Sequence, residues 1–362
     1  MDLPGSSWAR VVIPLISWSP NFSNAPAGLL KAIASLSDDQ LAILRRRRID
    51  SIVDFALGRQ TPKQRLYQRL WDFQRDCLEG AIAALHSSGV DFLVFKGGEF
   101  VERYFASRPI GMLYDVDLLI HRNAVGETKR ALFRAGFRQG VFQKEKSAFL
   151  DRDVSEVAQL ELNHYELAPF AACKEIDLPD DEFSIAEAYN EFPIWTVGRK
   201  AFFVTEVDVH HGVSMDIAGS ELFKRSIPSA FSSARTLSVA DHIWFTTSRY
   251  YTEVALHNKR SARDFLYLRA MLSTEEVDWE SVISSVEEYA IRPAVYYYLQ
   301  FLDRIGPSCI PDDIFEKLKP EPGSTRDWGW MLHTIFDGSP TLKLPELSAC
   351  RTCDSHERKR LP

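Results

Sequence analysis

The stretch Tyr114-Asp115-Val116-Asp117-Leu118-Leu119-Ile120 constrains the fold of this 362-residue chain more than any other, because it sets two carboxylates inside an otherwise apolar run. Val, Leu and Ile dominate it, so it reads as a buried strand and not a loop. Side chains alternate along a strand, so Asp115 and Asp117 project from one side and Val116 and Leu118 from the other. Two carboxylates on one face repel each other and resist burial unless they share a cation. Mg²⁺ is the usual partner of one or two carboxylates plus substrate phosphates. Asp-x-Asp by itself more often marks the wet face of an edge strand, so the flanking sequence decides.

Upstream lies a short apolar strand, Asp91-Phe-Leu-Val-Phe95, followed at once by Lys96-Gly97-Gly98 and a helix-like segment from Glu99 to Phe105. Strand, Gly-Gly turn, helix and a strand with Asp-x-Asp is a phosphate-and-metal layout. Glycines let the backbone approach a polyphosphate, and the following helix N-terminus favours anionic oxygen. Lys96 is either a phosphate ligand or a salt bridge at a strand end. Downstream, residues 201–209 alternate as a half-buried strand, with Glu206 and Asp208 on one face and Val207 and Val209 on the other. Asp208 is thereby the expected third carboxylate. Two metals about 4 Å apart could then activate a hydroxyl and stabilise a leaving pyrophosphate. Of the two histidines that follow, His210 and His211, one is expected towards the core and the other towards the cleft. Carboxylates beside a phosphate loop favour Mg²⁺ over zinc.

Composition narrows the function classes. With 45% hydrophobic and 26% charged residues the chain is an ordinary soluble globular protein, long enough for two subdomains. A net charge of −7 argues against broad binding to duplex nucleic acid, though not against a local basic groove. No apolar run approaches a membrane span, and the first twenty residues make a poor signal peptide, which together favour the cytoplasm. Of five cysteines, Cys77, Cys173 and Cys309 are scattered and expected reduced. Cys350-Arg-Thr-Cys353 with His356 has the spacing of half a zinc site or a redox pair, but no second pair accompanies it in its polar tail.

The remaining chain is organised around this core. Residues 1–88 form an expected helical segment, 89–215 the core, 216–320 a helical domain, and 321–362 a weakly ordered tail. Within the first, Ala27–Leu36 and Ser37–Phe55 show helical spacing, and Ser37-Asp-Asp-Gln40 is an N-cap signal. The run Arg45–Arg48 falls inside the second of these and is expected on a solvated or snorkelling face. Pro62 to Ser88 carries a long apolar stripe. Asn123–Ala135 is an expected helix, residues 157–167 an expected strand, and Leu178–Glu182 an acidic, broken loop. Helices are expected over Val239–Tyr251, Lys259–Leu272, Trp279–Tyr289 and Arg292–Ile305.

Taken together, Phe92-Leu-Val-Phe-Lys96-Gly97-Gly98, Tyr104, Arg108, Asp115-Val-Asp117-Leu-Leu-Ile120, Leu132, Gly136-Phe137, Asn163-His164-Tyr165, Val207-Asp208-Val209-His210, Lys259-Arg-Ser-Ala-Arg263-Asp264 and Asp278-Trp279 resemble the nucleotidyltransferase superfamily of the DNA polymerase β type. Within it, the chain is most similar to the bacterial group of uncharacterised nucleotidyltransferases, over about residues 30–315. The resemblance implies an α/β (α+β) fold with a mixed sheet, and transfer of a nucleoside monophosphate from an NTP such as ATP to a hydroxyl or phosphate. It further implies that Asp115, Asp117 and Asp208 hold two Mg²⁺ (or Mn²⁺) ions, with Asp208 helping to deprotonate the acceptor. Lys96, Gly97, Gly98, Arg108, Lys259 and Arg263 are the expected nucleotide contacts, and His164 and His210 possible substrate contacts. One departure stands out: the superfamily usually carries Gly-Ser at the turn, and Gly98 replaces that Ser. A small-molecule acceptor is the leading expectation. RNA or protein as acceptor, and a nucleotide-binding regulator without catalysis, are the alternatives.

Overall fold

The computed structural model describes residues 9–18, 25–162, 164–214, 217–257 and 261–321. Four short helices come first: α1 (Ala9–Ser17), α2 (Ala27–Ala34), α3 (Asp38–Arg46) and α4 (Ser51–Ala56). The long helix α5 (Pro62–Ser87) follows, begun by Thr61, whose hydroxyl accepts from the Gln64 amide, and by Pro62 in the first turn. Its stripe Leu66, Leu70, Leu78, Ala81, Ile82 and Leu85 is buried, as its spacing requires. Next come β1 (Phe92–Phe95), α6 (Gly97–Phe105), β2 (Asp115–Ile120), α7 (Val125–Arg134), β3 (Gly140–Gln143), β4 (Ala148–Asp151) and α8 (Val154–Glu161). The chain continues with β5 (Phe170–Ile176), α9 (Asp180–Tyr189), β6 (Ile194–Val197), β7 (Lys200–His210), α10 (Ser220–Arg225), β8 (Ile227–Pro228) and β9 (Arg235–Thr236). Helices α11 (Val239–His257), α12 (Arg263–Thr274), α13 (Trp279–Glu288), α14 (Arg292–Arg304) and α15 (Asp312–Leu318) close the described chain.

The fold is α+β, built on a mixed seven-stranded sheet in the order β5-β7-β2-β1-β9-β8, with β6 also paired to β7. β1 and β2 are antiparallel, whereas β2 and β7 are parallel. β7 is long enough to take two partners on one edge. Residues 200–203 pair with β6 and residues 206–210 with β2, while β5 covers 201–207 on the other side. Strands β1 and β2 are buried almost throughout, which is why they read as apolar runs. One buried apolar cluster joins residues of the early helices, such as Leu44 and Ile52, to the sheet and to α11–α14. No helix among the described residues is long and apolar enough to cross a membrane.

The structure corrects several expectations. Residues 154–161 form a helix and not a strand: the Asp153 carboxylate caps it by accepting from the Ser155 amide at 2.8 Å. The alternation that suggested a strand sits on an exposed surface, with Val154, Leu160 and Leu162 open to solvent, so it carries no information about burial. Only the end of that stretch runs extended, where Glu166 bridges to His210. The acidic segment after Leu178 is the first turn of α9, in which Asp180, Asp181 and Glu182 complement the helix dipole. Ser37–Phe55 is two helices, broken at Arg47–Asp50, with Arg48 at φ +62°. The arginine run is only in part a solvated or snorkelling face: Arg46 is exposed, and the other three are drawn inward. Arg45 lies over the Tyr189 ring, Arg47 is buried, and Arg48 lies 4.1 Å over the Tyr114 ring. The helix expected from Lys259 begins at Arg263. Cys77, Cys173 and Cys309 are free thiols, and burial pushes Cys77 up to about 12. Cys350, Cys353 and His356 lie outside the described residues.

Candidate active site

At the end of β1 the chain turns into α6 through Lys96, whose φ is +61°. A residue with a Cβ resists that region, at a cost of about 1–3 kcal/mol. The strained residue of the corner is therefore the lysine, and neither glycine has positive φ. Gly97 and Gly98 are instead the first two residues of α6, and both are buried. Their small size serves packing: a Cβ at Gly97 would lie 3.2 Å from Leu113 Cδ2, and one at Gly98 would touch Leu78 and Trp71. Their amides belong to the first helical turn, where no intrahelical acceptor exists. The corner delivers the Lys96 ammonium into the sheet face, with Nζ 2.5 Å from Asp117 Oδ1 and 3.1 Å from His210 Nε2.

The parallel pairing of β2 with β7 sets Asp115 opposite Glu206 and Asp117 opposite Asp208. All four acids consequently share one face of the sheet. Asp115, Asp117 and Asp208 each offer a carboxylate oxygen within 4.8 Å of the others. Burial, and then the charges of Asp115 and Asp117, raise the Asp208 carboxyl well above the ordinary aspartate value. Its Oδ1 is buried with no hydrogen-bond partner. Burial, followed by Asp115, raises Glu206 as well.

These features fit a divalent cation. The donors are all carboxylate oxygens, which suit hard ions such as Mg²⁺ or Mn²⁺ and not zinc. The orphaned oxygen of Asp208 and the mutual repulsion of the three acids are what a shared cation would relieve.

His210 follows Asp208 by two residues and so shares its face. Its ring is wholly buried, edge-on to Phe95 at 5.1 Å, and its Nε2 is 3.1 Å from Asp117 Oδ1. Burial and then the neighbouring Lys96 hold its basicity well below the usual value, so it sits there neutral. Nδ1 lies 3.1 Å from Glu166 Oε1, within ion-pair distance but not aligned for a hydrogen bond. The histidine of the pair that meets the carboxylates is thus the fully buried one, and His211 is only partly buried.

Behind His210 stands a group that the sequence reading missed. Arg249 of α11 donates from Nη1 to the Tyr165 hydroxyl at 2.6 Å, from Nη2 to Glu166 at 3.3 Å and from Nε to Glu253 at 3.0 Å. Burial works against its charge, but Tyr165, Glu166 and Glu253 outweigh it. The sequence offered little signal for it, since α11 carries several other polar residues, among them Asp241, His242 and Glu253.

The other expected contacts are placed less uniformly. His164 stacks on Tyr165 at 4.7 Å and accepts from the Glu166 amide at 3.1 Å, so its ring is engaged away from the carboxylates. Arg108 is exposed in the loop between α6 and β2. Arg263, at the start of α12, is 6% exposed, and its Nε and Nη1 have no hydrogen-bond partner. Lys259 and Asn163 lie outside the described residues.

None of the curated proteins and none of the solved structures compared with the chain matches it. The family model described as uncharacterised nucleotidyltransferase matches residues 72–306, a span containing β1, β2, β7, the three aspartates and Arg263. That span is well over half of the 362 residues, and the chain belongs to this family of uncharacterised nucleotidyltransferases.

Proposed function

We propose that the protein transfers a nucleoside monophosphate from an NTP to a hydroxyl or phosphate of a small-molecule acceptor, on a site of the DNA polymerase β type. The acceptor oxygen attacks the α-phosphorus, the bond from that phosphorus to the bridging oxygen breaks, and pyrophosphate leaves. Asp115, Asp117 and Asp208 would hold Mg²⁺, two ions being the expected number. Bound there, Mg²⁺ would neutralise charge on the phosphates and lower the pKa of the attacking hydroxyl. Asp208 would take the acceptor's proton, and Lys96 and the first turn of α6 would meet phosphate oxygens. His210 would buttress Asp117 through the 3.1 Å contact of its Nε2 with Asp117 Oδ1, with Glu166 and Arg249 lying behind the ring. The observation that carries this reading is the triad itself: three carboxylate oxygens within 4.8 Å of one another, one of them on a strand far along the chain.

A second reading has its own support. The Lys96 ammonium already sits 2.5 Å from Asp117, which is the arrangement of an internally neutralised site that binds nucleotide without turning it over. Incubation with each α-labelled NTP, Mg²⁺ and a cell extract separates the possibilities. Label on a small metabolite supports the transfer reading, and label on RNA or protein changes the acceptor class. Nucleotide binding without pyrophosphate release supports the regulator.

A further inference from the structure

Two arginines from opposite ends of the chain meet beside β2. The Ala262 amide donates to the Arg47 carbonyl at 2.9 Å, so Arg48 and Arg263 each lie one residue beyond a shared backbone contact. Arg48 is fixed there firmly. Its φ is +62°, and its carbonyl is so close to Gly111 that a Cβ on that glycine would lie 2.1 Å away. The Ser51 amide donates to Ile110 at 3.2 Å, which ties the same loop to the same turn. From this position the Arg48 guanidinium lies 4.1 Å over the ring of Tyr114, the residue before Asp115. Arg263 approaches from α12, its guanidinium 5.6 Å over the Tyr267 ring. The Arg48 guanidinium thus sits over the ring next to Asp115 in sequence, and the backbone bond between Ala262 and Arg47 brings the start of α12 to the same turn.

Neither arginine is used up by the protein. Among the described residues no carboxylate lies within ion-pair distance of either side chain, Asp115 included. Were they counter-charges for Asp115 alone, they would pair with it. Arg263 keeps Nε and Nη1 unsatisfied while 6% exposed, an arrangement that is costly unless something supplies acceptors. A guanidinium presents a planar fork of donors that matches phosphate oxygens in pairs. The strained backbone at Arg48 shows that its position is held against local preference.

We propose that Arg48 and Arg263 make a phosphate subsite at the Asp115 end of the carboxylate cluster, built jointly by the turn after α3 and the start of α12. It rests on the nucleotidyl-transfer reading for its place in the reaction. The phosphate is either the β,γ tail of the nucleotide or a phosphate carried by the acceptor. Both demand the same chemistry of the two guanidinium groups.

The test is equilibrium binding to the full chain in Mg²⁺, using pyrophosphate, ATP and inorganic phosphate as probes, with Arg48→Gln and Arg48→Lys as variants. Loss of paired, charge-assisted hydrogen bonds should weaken the occupant about tenfold to a hundredfold in Arg48→Gln, and only part of that loss should return in Arg48→Lys. Weaker pyrophosphate and ATP together assign the nucleotide tail. Unchanged ATP, with inorganic phosphate no longer binding to the protein saturated with a non-hydrolysable ATP analogue, assigns the acceptor. Unchanged affinity for all three probes, in variants with the parent unfolding temperature, overturns the subsite and leaves the transfer reading standing. Pyrophosphate binding that depends on Arg48, without any NTP turnover by the parent protein, would sink the transfer reading and keep the subsite.

Discussion

Replacing Asp208 by Asn should stabilise the protein while it destroys the site. The residue is half-buried, its Oδ1 is enclosed without a partner, and it faces the charges of Asp115 and Asp117. Those conditions raise its pKa in the folded state above the unfolded value. An acid shifted upwards is bound to its proton more tightly by the native protein. Stability is therefore lost as pH rises from the unfolded pKa through the folded one, and the loss is complete above it. Asn is nearly the same size and carries no charge, so above that window it removes the loss. Relieving such a strained site typically yields about 0.5–2 kcal/mol, or about 1–6 °C in Tm for a protein of this size. The assay is thermal unfolding in chelator at pH 7.5 and again at pH 4, followed by a Mg²⁺ titration. The variant should melt higher at pH 7.5, and the gap should close at pH 4, where the parent carboxyl is largely protonated. Mg²⁺ at a hundred times its Kd would add about 2.7 kcal/mol to the parent, and clearly less to a variant lacking one donor. A variant that melts below the parent at pH 7.5 in chelator would refute the reasoning, because it would mean that Asp208 is compensated in the absence of metal.

Asp117→Asn should lower turnover about 10²–10⁴-fold, the loss of several kcal/mol of charge stabilisation, with the circular-dichroism spectrum unchanged; steady-state pyrophosphate release measures it. Gly111→Ala should destabilise by at least about 3 kcal/mol in denaturant unfolding, because the new Cβ would meet the Arg48 carbonyl at 2.1 Å and backbone cannot swing aside. Arg269→Met should cost about 2–4 kcal/mol, since the Arg269 guanidinium donates to the Leu302 and Pro307 carbonyls at 2.6 Å each and both would be left unsatisfied; the midpoint of urea unfolding reports it.

What could be read from the residues depended on burial. β2 and β7 are packed into the sheet, so their alternation correctly set Asp115, Asp117, Glu206 and Asp208 on one face before any fold was known. The same period-two pattern around Leu160 and Leu162 misled, because those residues are exposed and face no core that could enforce it. The corner after β1 was legible as a position but not as a conformation. A Lys-Gly-Gly sequence points to a glycine in the left-handed region, whereas tertiary contacts place the lysine there. Glu166, Arg249 and Arg48 were invisible for another reason: each acquires its meaning from a partner more than 40 residues away, at His210, Tyr165 and Tyr114 respectively. Local periodicity carries no record of such meetings.

The parallel alignment of β2 with β7 also says when the site can exist. Two of its aspartates are made early, and their companion arrives only after α7, β3, β4, α8, β5, α9 and β6 have been synthesised. Until β7 docks, the nascent chain presents an acidic pair without the third ligand, and a slip of one residue would turn Asp208 to the opposite side of the sheet. On the proposed reading, metal capture would be coupled to completion of the central sheet, and a chain cut short before residue 208 would lack the third carboxylate of the cluster.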